Sequence, residues 1–169
     1  MNYFELFDLP VSLKVDRNGL SKKYFELQKK YHPDFFANED DEAKADALEK
    51  SSQVNKAFKT FSDSDETIKY VLQEKGLLEE EEKYKLPDNF LMEMLELNEQ
   101  LTDAKMDDDA AKIENIKSQI FTLQENIYEP VSEIVEGYKE GVSSEKELLQ
   151  VKDYYYKKKY LKRILAGIN

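Results

Sequence analysis

A chain of 169 residues that is 40% hydrophobic holds enough apolar material for one ordinary domain or two small ones, which excludes disorder throughout. Only 5 Gly and 4 Pro leave too little turn material for a many-stranded sheet, so a nearly all-α fold is expected. The absence of Cys, the single His and the formal net charge of -11 exclude thiol chemistry, zinc ribbons and His/Cys metal centres, and argue against phosphate-backbone binding as a general role.

The opening, MNYFELFDLP, is acidic and aromatic. It has neither the apolar stretch of a secretion leader nor the Arg-rich pattern of an organelle address, and no later run is long enough to span a bilayer, so a cytoplasmic protein is expected. Tyr3, Phe4, Leu6, Phe7 and Leu9 predict a short first helix that ends at Pro10. A second helix begins near Asp16 or Asn18, either of which can cap it, and repeats Leu20, Tyr24, Leu27 and Tyr31 at helical spacing. At about 100° per residue those four fall within roughly 60° of one another, Lys22 and Lys29 lie opposite them, and Lys23 and Lys30 sit to one side. The helix therefore has one buried face and a basic outer stripe.

Beyond His32, Pro33 and Asp34 a polar connection leads to Ala47, Ser51, Val54, Phe58 and Phe61, again at helical spacing. Two antiparallel helices sharing a seam bury both patterns. A fourth helix starts behind Asp63 or Asp65, uses Ile68, Val71 and Leu72, and stops at Gly76. The acidic stretch 77–87 reads as a linker between an N-terminal domain, 1–76, and a C-terminal domain, 88–169. In the latter, Phe90, Met94, Leu97 and Leu101 form a seam, and Asp107 to Asp109 supply caps and favourable charge for the next helix. Ile113, Ile116, Ile120, Leu123, Ile127, Val131, Ile134 and Tyr138 then keep heptad spacing through Pro130, which is expected to kink the helix rather than end it. A Tyr- and Lys-rich helix from about Ser144 to Ile168, with an ambiguous seam, completes a three-helix bundle.

The lone histidine sits in LQKKYHPDFF, residues 27–36. A general base needs a cleft and an orienting partner, and a hydrolytic triad needs a nucleophile; neither Ser nor Cys occurs nearby. No catalytic residue is assigned. Taken alone, His-Pro-Asp is a turn in which Pro33 terminates the helix and Asp34 makes a local bond, and the lysine stripe is a solvated face.

The surroundings of the motif resemble the J-domain of the DnaJ class of co-chaperones. The resemblance lies in the order of parts: a short aromatic helix, the basic helix LSKKYFELQKKY, His-Pro-Asp at its end, and a third helix containing SSQVNKAFKTF. It implies that His32, Pro33 and Asp34 form a loop that docks on a DnaK/HscA-type heat-shock chaperone and stimulates its ATPase, with Lys22, Lys23, Lys29 and Lys30 supplying electrostatic attraction. Chemistry would then belong to the partner, and this chain would be no enzyme and need no cofactor. Phe35 stands where such proteins commonly carry a lysine.

The opening NYFELFDLP, the block FLMEMLELNEQL at residues 90–101 and the ending YVLQEKG of the fourth helix resemble the HscB family, J-domain co-chaperones of iron–sulfur cluster assembly. Relative to Phe90, Leu91 and Leu95 lie roughly 100 to 140° round the helix and Met92 and Glu99 near its far side, more apolar surface than one seam requires. Either the neighbouring helix or the J-domain covers Leu91 and Leu95, or they dock a partner. The resemblance implies the latter: Leu91, Met92, Leu95, Glu96 and Glu99 contact an IscU-type iron–sulfur scaffold protein. It also implies a contribution from an aromatic on the last helix, Tyr155, with Tyr154 and Tyr156 as alternatives. Without cysteine the chain has no thiolate for a cluster, so no metal site is expected. The absence of a cysteine-bearing N-terminal module and of a targeting sequence points to a bacterial-type form.

Overall fold

The computed structural model describes residues 1–168, and among these only helices, turns and loops occur. The N-terminal half builds α1 (Tyr3–Leu6), α2 (Leu20–Tyr31), α3 (Asp41–Phe61) and α4 (Ser64–Glu74). Side-chain bonds pair Tyr24 with Asn55 and Gln28 with Ser51, which sets α2 and α3 antiparallel. Leu20 and Leu27 share a core with Val54 and Phe61, and Ala47 and Ser51 are buried too, as the spacing of both patterns predicts. α1 is only one turn long and is held by its aromatics. Tyr3 stacks on Tyr70 at 4.5 Å, its N–H donates to the Tyr70 hydroxyl at 2.9 Å, and Phe4 and Phe7 pack on Phe61.

The caps refine the expectations. Neither Asp16 nor Asn18 caps α2: the Asp16 carboxylate closes a turn on the Asn18 N–H at 2.9 Å, and the helix starts from Gly19. Gly19 has φ 79°, a left-handed conformation that a residue without Cβ adopts readily. Asp63, not Asp65, caps α4 by accepting from the N–H groups of Asp65 and Glu66. α4 closes with the Gly76 N–H on the Gln73 carbonyl and the Leu77 N–H on the Leu72 carbonyl, with Gly76 at φ 72°, a Schellman arrangement.

The C-terminal half consists of α5 (Asp88–Met106), α6 (Ala110–Tyr128), α7 (Ser132–Gly137) and α8 (Glu145–Ile168). Asp109 caps α6. Pro130 does more than kink the heptad run. Lacking an N–H, it breaks the α-helical ladder, so α6 ends at Tyr128, a single 3₁₀ turn spans Glu129–Val131, and α7 resumes beyond it.

Two apolar cores result. One gathers α1 to α4 with Leu78, Val131, Val135, Tyr138 and the first half of α8: Leu148, Val151, Tyr154 and Tyr155. The other joins Phe90, Met94, Leu97 and Leu101 of α5 to Ile116 and Ile120 of α6 and to Leu161 and Ile164 of α8. The inward face of α8 therefore rotates by roughly a third of a turn along its length, which is why no single seam is legible in its sequence. Ion pairs clamp the halves together: Lys14 with Glu136 at 3.1 Å, Asp65 with Lys158 at 2.8 Å and Lys162 at 2.9 Å, and Lys75 with Glu140.

Candidate docking surfaces

α2 ends at the histidine because a residue before proline is driven out of helical backbone. His32 takes φ −59° and ψ 130° while its N–H still donates to the Gln28 carbonyl at 2.8 Å. Pro33 then opens a 3₁₀ turn, Pro33–Phe36. The Asp34 N–H donates to His32 Nδ1 at 3.2 Å, which fixes the ring against the turn. The Asp34 carboxylate, 3.6 Å from Nδ1, stands in solvent.

Beneath this turn lies a polar clamp that the sequence patterns did not reveal. Gln28 Nε2 donates to Asn55 Oδ1 at 2.8 Å, Ser51 Oγ donates to Gln28 Oε1 at 2.9 Å, and the Tyr24 hydroxyl donates to Asn55 Oδ1 at 2.7 Å. These bonds tie the last two turns of α2 to α3 and make the turn a continuation of a stiff hairpin. The presence of Ser51 in an otherwise apolar seam is the one trace of the clamp in the sequence.

The basic stripe is as spaced: Lys22, Lys29 and Lys30 are exposed, Lys23 is half-buried, and none of the four forms an ion pair among the described residues. Lys29 and His32 line one shallow depression of about 380 Å³ with Asp34, Gln28, Phe25 and Phe35. Both phenylalanines are exposed, and Phe35 meets the His32 ring edge-on at 6.2 Å. A cationic edge, an exposed carboxylate and two exposed aromatic rings have the composition of a recognition surface, and no Ser, Thr or Cys lines the depression.

The second surface is the outer face of α5. Phe90, Met94, Leu97 and Leu101 are buried, whereas Leu91 is 38% exposed, Leu95 61% and Met92 72%. No neighbouring helix covers them. Glu96 and Glu99 lie exposed beside them.

Tyr155 does not share that surface. It is buried in the core that joins α8 to the N-terminal helices, and burial, its largest cause, pushes its hydroxyl pKa up to about 12. Tyr154 is buried in the same core. Of the three alternatives only Tyr156 turns outward: it stacks on Tyr84 at 4.6 Å and lines a surface groove with Leu91 and Tyr160. The consecutive tyrosines carry no signal in sequence that separates inward from outward, because α8 changes its buried face at this point. Tyr160, edge-on to Phe90 at 6.1 Å, is a further aromatic of this region that the sequence reading missed.

Among the described residues no group of His, Cys, Asp and Glu is arranged to hold a metal ion, and no helix is long and apolar enough to cross a membrane.

Residues 2–70 match the DnaJ domain, and residues 86–169 match the family described as the HSCB C-terminal oligomerisation domain. A co-chaperone protein HscB homolog from Acinetobacter baumannii is 34% identical over all 169 residues, covering 100% of this chain and 89% of the relative. A homolog from Vibrio cholerae is 40% identical over 102 residues, a match that spans 60% of each chain. The solved chaperone HscB from Vibrio cholerae superposes with a TM-score of 0.76 at 27% identity, over 99% of this chain and 95% of that one. A crystal structure of human co-chaperone protein HscB gives 0.81 at 28% identity, over 99% of this chain and 80% of that one. With both halves of the fold matched in order and the identity running from end to end, the chain belongs to the HscB family of J-domain co-chaperones.

Proposed function

We propose that this co-chaperone is a two-surface adaptor in iron–sulfur cluster assembly. The His32-Pro33-Asp34 turn, with the stripe of Lys22, Lys23, Lys29 and Lys30, engages a DnaK/HscA-type chaperone and stimulates its ATPase. Leu91, Met92, Leu95, Glu96 and Glu99, with Tyr156 taking the place first expected of Tyr155, hold an IscU-type scaffold protein. The observation that carries the reading is the exposure of Leu91, Met92 and Leu95 on a helix whose opposite face is already saturated by its own core. Apolar area left in water gains about 25 cal/mol per Å² when a partner covers it.

The chemistry belongs to the partner, and the chain itself turns nothing over. Steering by unpaired lysines speeds encounter with an acidic surface, and the stiff turn supplies selectivity. Joining both surfaces in one molecule raises the local concentration of scaffold beside the chaperone.

The test is a chaperone ATPase assay with and without purified scaffold. His32→Gln is expected to lose stimulation in both conditions while keeping its helical circular dichroism. Leu91→Ala/Leu95→Ala is expected to keep basal stimulation and lose the increment that scaffold adds. Full stimulation by His32→Gln would sink the chaperone half of the proposal; an absent scaffold increment in the wild type would point to a J-domain co-chaperone with another client.

A further inference from the structure

Leu91 belongs to two features at once. Besides standing on the outer face of α5, it forms one wall of a groove of about 370 Å³ that runs between the linker and α8. The groove floor is aromatic. Tyr84 and Tyr156 lie parallel at 4.6 Å, and Tyr160 continues the wall toward Phe90.

Around that floor stand Lys83, Lys85, Lys159 and Arg163, all exposed, and none takes part in an ion pair among the described residues. The one carboxylate lining the groove, Glu82, is bound to Lys152 at 2.6 Å. The Tyr84 hydroxyl is likewise spent, donating to Asp153 at 2.8 Å, and Asp153 is further paired with Lys157 at 2.8 Å. In a protein of formal net charge -11, the groove is thus a local concentration of uncompensated positive charge over an aromatic surface. Lys159 also feels Glu80, whose hydrogen bonds go to Gln73 and Lys69, whereas Lys83, Lys85 and Arg163 have no carboxylate partner among the described residues.

We propose that this groove binds an acidic segment of the same scaffold protein that covers Leu91, Met92 and Leu95, its carboxylates meeting Lys83, Lys85, Lys159 and Arg163 while an apolar side chain rests on the tyrosines. The proposal rests on the scaffold reading above and extends its surface across the linker. Continuity through Leu91 argues for one occupant rather than two. The signs argue for its orientation: the groove end is cationic, and the α5 end, with Glu93, Glu96 and Glu99 exposed, is anionic. A partner with carboxylates at one end of its contact segment and bases at the other fits in one direction only. A nucleic acid fits poorly, because a continuous polyanion running from the groove along α5 meets those glutamates.

The test is calorimetric titration of purified IscU-type scaffold into the full chain at low and high salt, about 50 and 500 mM, which spans strong and nearly complete screening of exposed charges. Lys85→Glu/Arg163→Glu is expected to bind roughly tenfold or more weakly at low salt and within about threefold of wild type at high salt. Leu91→Ala/Leu95→Ala is expected to be weak at both. Both charged positions are exposed, so unchanged circular dichroism and Tm should accompany the loss. If the wild type binds and the charge-reversed variant binds equally at low salt, the groove is not used and this inference alone falls. If the wild type fails to bind scaffold at all, the scaffold reading falls and takes the groove's assigned occupant with it. Displacement of the scaffold by a single-stranded oligonucleotide at comparable concentration would also overturn the proposal.

Discussion

Gln28 is uncharged on a helix edge crowded with lysines, yet the stiffness of the His32 turn depends on it. Its amide bonds the exposed Asn55 and the buried Ser51 together, so it bridges the wet edge and the dry interior of the hairpin. Removing Gln28 leaves Asn55 to water and strands only the Ser51 hydroxyl, so the loss is that of ordinary hydrogen bonds. Gln28→Ala is therefore expected to lower stability by about 0.5 to 1.5 kcal/mol, measured as a shift in the urea midpoint at unchanged slope. A change near zero would mean that the clamp is ornamental and that Pro33 alone holds the turn.

At the scale of an element, α5 is instructive because its two faces do different work. Met94 is fully buried between α6 and α8, and Leu95 beside it is 61% exposed. Met94→Ala is expected to destabilise by about 2 to 4 kcal/mol through the cavity it leaves. Leu95→Ala should stay within roughly 0.5 kcal/mol, as surface substitutions do. Equilibrium unfolding of the two variants checks the separation of folding from binding, and equal losses would mean that Leu95 is structural. This division was legible in the sequence because both roles sit at fixed angles on one helix, and so was the α2 and α3 seam. The α4 stop at Gly76 could be read for a similar reason, since a Schellman closure is local. What could not be read depends on contacts far apart in the chain. Asp16 and Asp65 both have the chemistry of a helix cap, but one is consumed by a turn and the other by Lys158 and Lys162. Tyr155 and Tyr156 differ by one helical step, and only the packing of α8 on two cores decides which of them faces water.

For the molecule as a whole, the clamps between its halves set a pH window. Hydrogen bonds from Lys75 and Tyr138 hold the Glu140 carboxyl below its ordinary range, the Lys152 contact does the same for Glu82, and Gln73 with Lys69 does so for Glu80. A carboxyl whose folded pKa is depressed contributes stability that is present above its unfolded pKa and lost as pH falls through the folded one. On the alkaline side, burial raises Tyr155 to about 12, and Tyr84, Tyr128, Tyr138 and Tyr154 move in the same direction. Burial is the largest single influence on Lys158 and works against its charge, but the hydrogen bond and charge of Asp65 together with Tyr154 outweigh it and the pKa rises. Groups raised in the folded state contribute fully below their unfolded pKa and lose that contribution as pH climbs through the folded value. A plot of Tm against pH should therefore be flat from about pH 5 to 9 and fall on both sides. An unchanged Tm on acidification below the ordinary carboxylate range, where the unfolded chain takes up protons that these folded carboxyls resist, would show that their ion pairs carry no weight.

One feature of the architecture governs how the protein comes into being. Because α8 furnishes Leu148, Val151, Tyr154 and Tyr155 to the core built on α1 to α4, the first half of the polypeptide leaves the ribosome without the side chains that seal it. At about 5 to 20 residues per second, Ile68, which lines one depression with Tyr154, awaits that tyrosine for several seconds, greasy and less covered than in the finished fold. A nascent co-chaperone is, for that interval, itself a candidate for chaperone capture.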